Sequence, residues 1–217
     1  MPVLTVASSK GGPGKSTVCE LLAGALAGSC NLVVLDADPT QAFSRWAADT
    51  YEGPAFLTVA ETDEARLAHL IAEQAGEVDL VLVDTAGFGN RAATVAMTSA
   101  DTVLIPALAG EADITEAEKT ARLVEGLARA ARREIPTRVL FNRVRKTTLA
   151  RHADSELERA KLVRLTASLS DLVAYGELSY SGRIPTTGTA GSEVTALIAE
   201  LRKLKWIPTP LRNAVRA

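Results

Sequence analysis

Apolar residues along this chain come in short continuous runs, separated by stretches where they recur every three or four positions. The runs Val3–Ser8, Asn31–Asp36, Ala55–Ala60, Asp79–Asp84, Thr102–Pro106 and Thr137–Asn142 predict strands, with a weaker one at Leu162–Ala167. The amphipathic stretches Ser16–Leu26, Thr40–Ala48, Glu64–Gln74, Asn90–Thr98, Thr115–Arg132 and Thr147–Arg159 predict helices between them. A last helix is expected from Ser192 to Lys205, with Val194, Leu197, Ile198, Leu201 and Leu204 on one face. Runs such as Leu80-Val81-Leu82-Val83 are apolar at every position, which suits strands covered on both faces. Alternation of such strands with helices predicts an α/β fold, a mainly parallel twisted sheet flanked by helices on both faces. Right-handed crossovers then gather the loops that follow the strands at one edge of the sheet.

Length and composition narrow this further. The 217 residues suffice for one domain with a full core, expected at residues 1–207, with 208–217 a loose tail after Pro208 and Pro210. With 47% apolar and only 4% aromatic residues, that core is expected to be mostly Ala, Val, Leu and Ile. No apolar run approaches the roughly 18–20 residues of a membrane span, and no basic segment leads into an apolar one at the N-terminus. Cys19 and Cys30 lack metal-ligand spacing and read as thiols of a reducing, cytoplasmic protein. The net charge of −2 conceals a split: residues 1–118 carry 5 basic and 17 acidic side chains, residues 119–217 carry 19 and 9. The basic half suits a polyanion. Its groups are Arg143, Arg145, Lys146 and Arg151, then Arg159, Lys161 and Arg164, then Arg202, Lys203 and Lys205. Few aromatics interleave them, so phosphate contact without base reading is expected.

The chemistry concentrates where strands end. Between the first strand and the first helix runs Ser9-Lys10-Gly11-Gly12-Pro13-Gly14-Lys15-Ser16-Thr17, a glycine-rich loop in the setting of a phosphate cradle. Gly11, Gly12 and Gly14 leave room for backbone N–H groups to approach an anion, whereas Pro13 has no N–H to give. Lys15 is placed for the β- and γ-phosphates of a nucleotide, and the Ser16 hydroxyl for Mg²⁺. The second strand ends in Asp36-Ala37-Asp38, two carboxylates on one side of an extended chain. The fourth ends in Asp84 and continues Thr85-Ala86-Gly87, so that Asp84 suits a metal's surroundings and Gly87 can offer its N–H to a γ-phosphate. Phe88–Arg91 then reads as a nucleotide-sensing switch.

The loop departs from the ordinary pattern: position 9 is serine rather than glycine, and Lys10 precedes the glycines. In this form it resembles the deviant Walker A motif of the ParA/MinD family of ATPases, most closely the small ParA type without a helix-turn-helix extension. That resemblance implies ATP and Mg²⁺ as cofactors and a homodimer with ATP sandwiched at its interface. Lys10 would reach across to the partner's nucleotide, Asp38 would orient the attacking water, and Asp36 would lie near the metal's water shell. It assigns the adenine edge to Asn142, beside Arg143 at the end of the sixth strand, with the loop Gly182–Pro185 passing the base. It implies slow ATP hydrolysis stimulated by a ParB-like partner, and nonspecific DNA binding by the dimer. Two further readings stand beside it. One is a MinD-like membrane-cycling ATPase, for which Leu201–Ile207 would be the short anchor. The other is a slow nucleotide-dependent adaptor in conjugative transfer or protein-assembly positioning.

Overall fold

The computed structural model describes residues 2–87, 89–145 and 148–210, with side chains omitted at 148–152. Seven strands form one sheet: β1 (Val3–Val6), β2 (Leu32–Ala37), β3 (Leu57–Ala60), β4 (Leu80–Thr85), β5 (Thr102–Ala107), β6 (Thr137–Val144) and β7 (Arg164–Ser170). Their order is β3-β2-β4-β1-β5-β6-β7, and every neighbouring pair is parallel. The helices are α1 (Lys15–Leu26), α2 (Ala42–Asp49), α3 (Glu64–Glu77), α4 (Arg91–Ser99), α5 (Glu111–Ala130), α6 (Thr148–Arg159), α7 (Val173–Ser181) and α8 (Gly188–Lys203).

Alternation along each strand divides the core into two layers. Leu4, Val34, Leu80, Leu82 and Leu104 pack with α1, α2, α7 and α8 on one face. Val3, Val33, Leu35, Val81 and Val83 pack with α3 and α4 on the other, and Val103, Ile105 and Val139 with α5. The parity that sends Val34 and Leu82 toward α1 continues to Asp36 and Asp84, so both carboxylates end on the α1 side of the sheet.

The sheet's β7 edge is closed by side chains rather than by another strand. Glu200 on α8 accepts from the backbone N–H groups of Thr166 and Ala167 at 2.8 and 2.7 Å. Glu193, two turns earlier, accepts from Ser170 N, from the Ser170 hydroxyl and from Tyr175. Two glutamates thus take up N–H groups that would otherwise invite another chain.

The predicted elements are present with shifted ends. β7 begins at Arg164 and runs to Ser170, later than Leu162–Ala167, and α8 starts at Gly188 rather than Ser192. α5 starts at Glu111, where Glu111 and Asp113 suit the positive end of the helix dipole. α7 was not anticipated: its apolar residues are spread around the helix and Gly176 interrupts it, so no stripe marks it. The stretch Leu201–Ile207 is not a free anchor, because Leu201, Trp206 and Ile207 are buried in the α1-side core, with the Arg138 guanidinium 5.9 Å from the Trp206 ring. Among the described residues no helix is long and apolar enough to cross a membrane. Residues 211–217 lie outside the described residues.

Candidate functional site

β1, at the centre of the sheet, delivers its loop between β4 and β5. The loop ends at Gly14, which caps α1 in a left-handed conformation (φ 92°). An added Cβ there would stand 2.2 Å from the Asn142 amide nitrogen, so glycine is required both by the backbone and by packing. At Gly11 and Gly12 a Cβ would meet nothing within 4 Å, which leaves open space over the loop. Lys15 is 7% exposed and donates from Nζ to the Lys10 carbonyl at 3.3 Å, closing the loop on itself. Lys10 turns the other way: its half-exposed ammonium donates to Asp113 Oδ1 on α5 at 3.2 Å.

Position 9 shows why serine can replace the usual glycine. Ser9 Oγ has one proton to share between the Glu116 carbonyl and carboxylate oxygens, 2.8 and 2.7 Å away, and Ser9 N donates to Thr120 Oγ1 at 2.9 Å. The loop is therefore moored to α5 along one helical face, Asp113, Glu116 and Thr120. These anchors were missed in the sequence; their three- and four-residue spacing on a helix facing the loop was the available signal.

Asp36 and Asp84 face each other in register across β2 and β4, and each is 0% exposed. Asp36 is fully engaged. Its Oδ1 accepts from Asp38 N at 3.1 Å, and its Oδ2 accepts from Ser44 N and Oγ, both at 2.8 Å. α2 has no side-chain cap of its own, so Asp36 caps it from β2. Asp38, half-buried, accepts from Thr40 N at 2.8 Å and stands between the strand and α2.

Neither carboxylate oxygen of Asp84 makes a well-formed hydrogen bond among the described residues, although the Ser16 hydroxyl lies near enough to act on it. Burial pushes it up to about 7, the Ser16 hydroxyl pulls it back, the Asp36 carboxylate pushes further, and the Lys15 ammonium opposes. A buried carboxyl without a partner is costly, and a cation is the partner its chemistry calls for. Asp84 and the Ser16 hydroxyl supply hard oxygen donors, which fit Mg²⁺. Among the described residues no group of three or more His, Cys, Asp or Glu gathers.

Gly87 closes the site from β4. A Cβ there would lie 3.4 Å from Gly11 N, in ordinary van der Waals contact, so the segment after β4 runs directly beside the phosphate loop. Gly89, Asn90 and Arg91 border a cavity of about 210 Å³ that also reaches Ser9 and Thr120, and Asn90 caps α4 by accepting from Ala92 N at 2.7 Å. Phe88, central to the expected switch, lies outside the described residues.

On the other flank, Asn142 donates to the Pro13 carbonyl at 2.8 Å and accepts from Arg143 N at 2.9 Å. The proline that withholds an N–H thus holds the loop in place through its carbonyl. Asn142 and Arg143 line a cleft of about 530 Å³ that begins at Thr17 and runs between α1 and the β7–α7 turn. The loop Gly182–Pro185 is not part of this cleft. Ile184 packs on Gly24, two turns along α1 from Thr17, and Gly182 packs on Thr50. That departs from the expected place beside a base; its reason is close contact at both glycines, where a Cβ would fall within 2.4 Å of its neighbours.

Several of the expected polyanion contacts are occupied. Arg145 pairs with Asp171 at 2.7 Å, Arg159 with Glu156 at 3.1 Å, and Arg164 with Asp154 at 2.6 Å. Arg202 donates to the Pro208 carbonyl at 3.3 Å. Arg143, Lys161, Lys203 and Lys205 are exposed and have no ion-pair partner among the described residues. Lys146 lies outside the described residues, as does the Arg151 side chain.

This arrangement can seat a polyphosphate over the loop, a divalent cation at Ser16 and Asp84, and a water near Asp38. Comparison with known proteins shows the family. The family model described as VirC1 protein matches residues 1–205. A virC1 protein of Rhizobium radiobacter is 34% identical over 172 residues, 75% of this chain and 74% of that protein. A ParA protein of the same organism is 34% identical over 146 residues, 66% of this chain and 65% of its own length. Among solved structures, an ATP complex of Cyanothece McdA carrying an Asp-to-Ala substitution superposes with a TM-score of 0.78 at 16% identity, covering 98% of this chain and 99% of that one. At that identity the likeness shows the fold.

Proposed function

Membership of the VirC1 protein family, and so of the ParA/MinD ATPases, to which this chain belongs, is the premise from which we propose a ParA-type ATPase that positions a cargo. ATP sits over the loop, with its β- and γ-phosphates toward Lys15. Bound Mg²⁺ supplies charge neutralisation at those phosphates, held by Ser16 with Asp84 behind it. Asp38 orients the water that attacks the γ-phosphorus in line, and Gly87 offers its N–H to the γ-phosphate. The work of the protein is positioning and charge stabilisation rather than covalent chemistry.

Lys10 carries the proposal. Its ammonium stands half-exposed on Asp113, outside the loop that Lys15 closes, and so is available to a second copy rather than committed to its own site. Two copies meeting through this face exchange Lys10 across the interface and enclose both nucleotides. The dimer then binds DNA without sequence preference, through exposed basic groups such as Arg143, Lys161, Lys203 and Lys205, and hydrolysis stimulated by a ParB-like partner releases it. A gel shift on random-sequence plasmid tests this. The shift is expected with ATP and Mg²⁺, absent with ADP, and weakened steeply by salt; equal shifts in ATP, ADP and no nucleotide contradict it.

A further inference from the structure

The cleft that begins at Thr17 contains a buried acid that lies outside the phosphate loop and the two strand-end aspartates. Glu20, one turn along α1 from Ser16, is 7% exposed and lines the cleft with Thr17, Asn142, Arg143 and Tyr175. Most of its polar neighbours there are committed, while the Arg143 guanidinium is exposed and makes no ion pair among the described residues. Asn142 is bound to Pro13 and Arg143, Asp171 to Arg145, and Tyr175 and Ser170 to Glu193. Glu20 has no hydrogen-bond or ion-pair partner among the described residues. It is a carboxyl nine-tenths buried, unpartnered, and open to a cleft whose volume, about 530 Å³, is that of a small-molecule site.

The phosphate loop gives the cleft its meaning. Lys10, Asp38 and Gly87 mark the end of the loop where a γ-phosphate belongs, and Thr17 lies at the opposite end, where the sugar and base emerge. We propose that Glu20 is a specificity-determining residue, its carboxyl pairing with the 6-amino group and adjacent ring nitrogen of adenine. This rests on the reading of the loop as an ATP site.

The chemistry fits the neutral carboxyl. Burial, with the Asp84 carboxylate adding to it, pushes Glu20 up to about 8, so the side chain carries both an O–H donor and a C=O acceptor at neutral pH. Adenine presents the complement on one edge, an amino donor beside a ring-nitrogen acceptor. A buried group built to hydrogen-bond a substrate rejects the analogue that leaves it unpaired. Position 20 lies among the apolar residues Val18, Cys19, Leu21 and Leu22, where an unpaired carboxyl only weakens the fold. The ligand provides the missing partner.

The test is a cycle between protein and ligand, with dissociation constants measured by calorimetry on the full chain with Mg²⁺. Ligands are ATP, the purine-riboside triphosphate that lacks the 6-amino group, and 2′-deoxy-ATP; proteins are wild type, Glu20→Gln and Glu20→Leu. Wild type is expected to bind ATP about tenfold tighter than the 6-desamino analogue, and Glu20→Leu to bind both within about twofold. Glu20→Gln keeps an acceptor beside a donor and retains the discrimination, while 2′-deoxy-ATP follows ATP in every protein. An amino group worth as much in Glu20→Leu as in wild type overturns the assignment, as does a wild type indifferent to it. A wild type that discriminates against 2′-deoxy-ATP, with Glu20→Leu losing that discrimination and keeping the one for the amino group, overturns it in favour of sugar contact. Should Glu20→Leu fail to fold, the wild-type and Glu20→Gln arms still decide, since indifference to the amino group in wild type is sufficient to refute it. Failure of wild type to bind any of the three is a different result, and refutes the ATP site itself.

Discussion

Asp36 and Asp84 stand side by side on β2 and β4, equally buried, yet their carboxyls keep different company. Asp36 accepts three hydrogen bonds, two from Ser44 at the start of α2 and one from the backbone of Asp38. Asp84 accepts none among the described residues. The first is a fastening: it pins α2 to the sheet and fixes the turn that carries Asp38. On the proposed reading, the second is a group whose partner would arrive with the ligand. Two residues identical in type, register and burial are thus divided between stability and function by what the neighbouring helix offers. α2 brings a helix N-terminus to Asp36, whereas on the α1 side Asp84 meets the Ser16 hydroxyl and the field of the Lys15 ammonium, neither of which offsets its burial.

The comparison can be broken at either member. The largest effect is expected at the unpaired one. Asp84→Ala is predicted to lower Mg²⁺-dependent ATP turnover about a hundredfold. Its melting temperature should stay level or rise, because the substitution removes a buried carboxyl that nothing satisfies. A variant that loses stability and keeps turnover would reverse the assignment. Asp36→Ala should do the opposite first: it leaves Ser44 and the Asp38 N–H without their acceptor and costs about 3 kcal/mol in urea unfolding. If Asp36→Ala unfolds at the wild-type urea concentration, Asp36 is no fastening.

A subtler effect sharpens the picture. Glu20 rises from 4.5 to about 8 through burial and the Asp84 charge, so the folded state holds a proton that the unfolded chain releases. Its contribution is full below about 4.5 and is lost as the pH rises through about 8. Thermal melts of Glu20→Gln should therefore decline less between pH 5 and pH 8 than those of wild type, since an amide has no proton to lose; parallel curves would show that Glu20 is solvated.

Much of this was legible in the sequence. The β1 loop, the strands ending in Asp36 and Asp84, and Gly87 were all marked by spacing, because a phosphate cradle constrains consecutive residues and a buried strand is apolar at every position. What was hidden depends on partners far along the chain. Ser9 looked like a lost glycine until Glu116 and Thr120 on α5 were found beside it. Pro13 looked like a lost donor until its carbonyl was seen on Asn142. The α7 helix carries no stripe of apolar residues, so periodicity had nothing to detect. Glu20 sat unnoticed on an otherwise apolar helix, because a single acid in such a run says nothing of the cleft beside it. Basic clusters were visible but not their pairing: Arg145, Arg159 and Arg164 are engaged by acids that the count of charges could not assign to them.

The two lysines of the loop repeat the contrast of the two aspartates. Lys15 is buried and turned onto its own loop, whereas Lys10 is half-exposed and held on α5 by a single ion pair. An exposed pair of that kind holds weakly, so Lys10 is readily given up to a better anion. The most direct test is sedimentation of Asp38→Ala with saturating ATP and Mg²⁺, alone and combined with Lys10→Ala. The account predicts a dimer for Asp38→Ala and a monomer for the double variant, each with nucleotide bound; a monomer in both, with ATP bound in both, would contradict it.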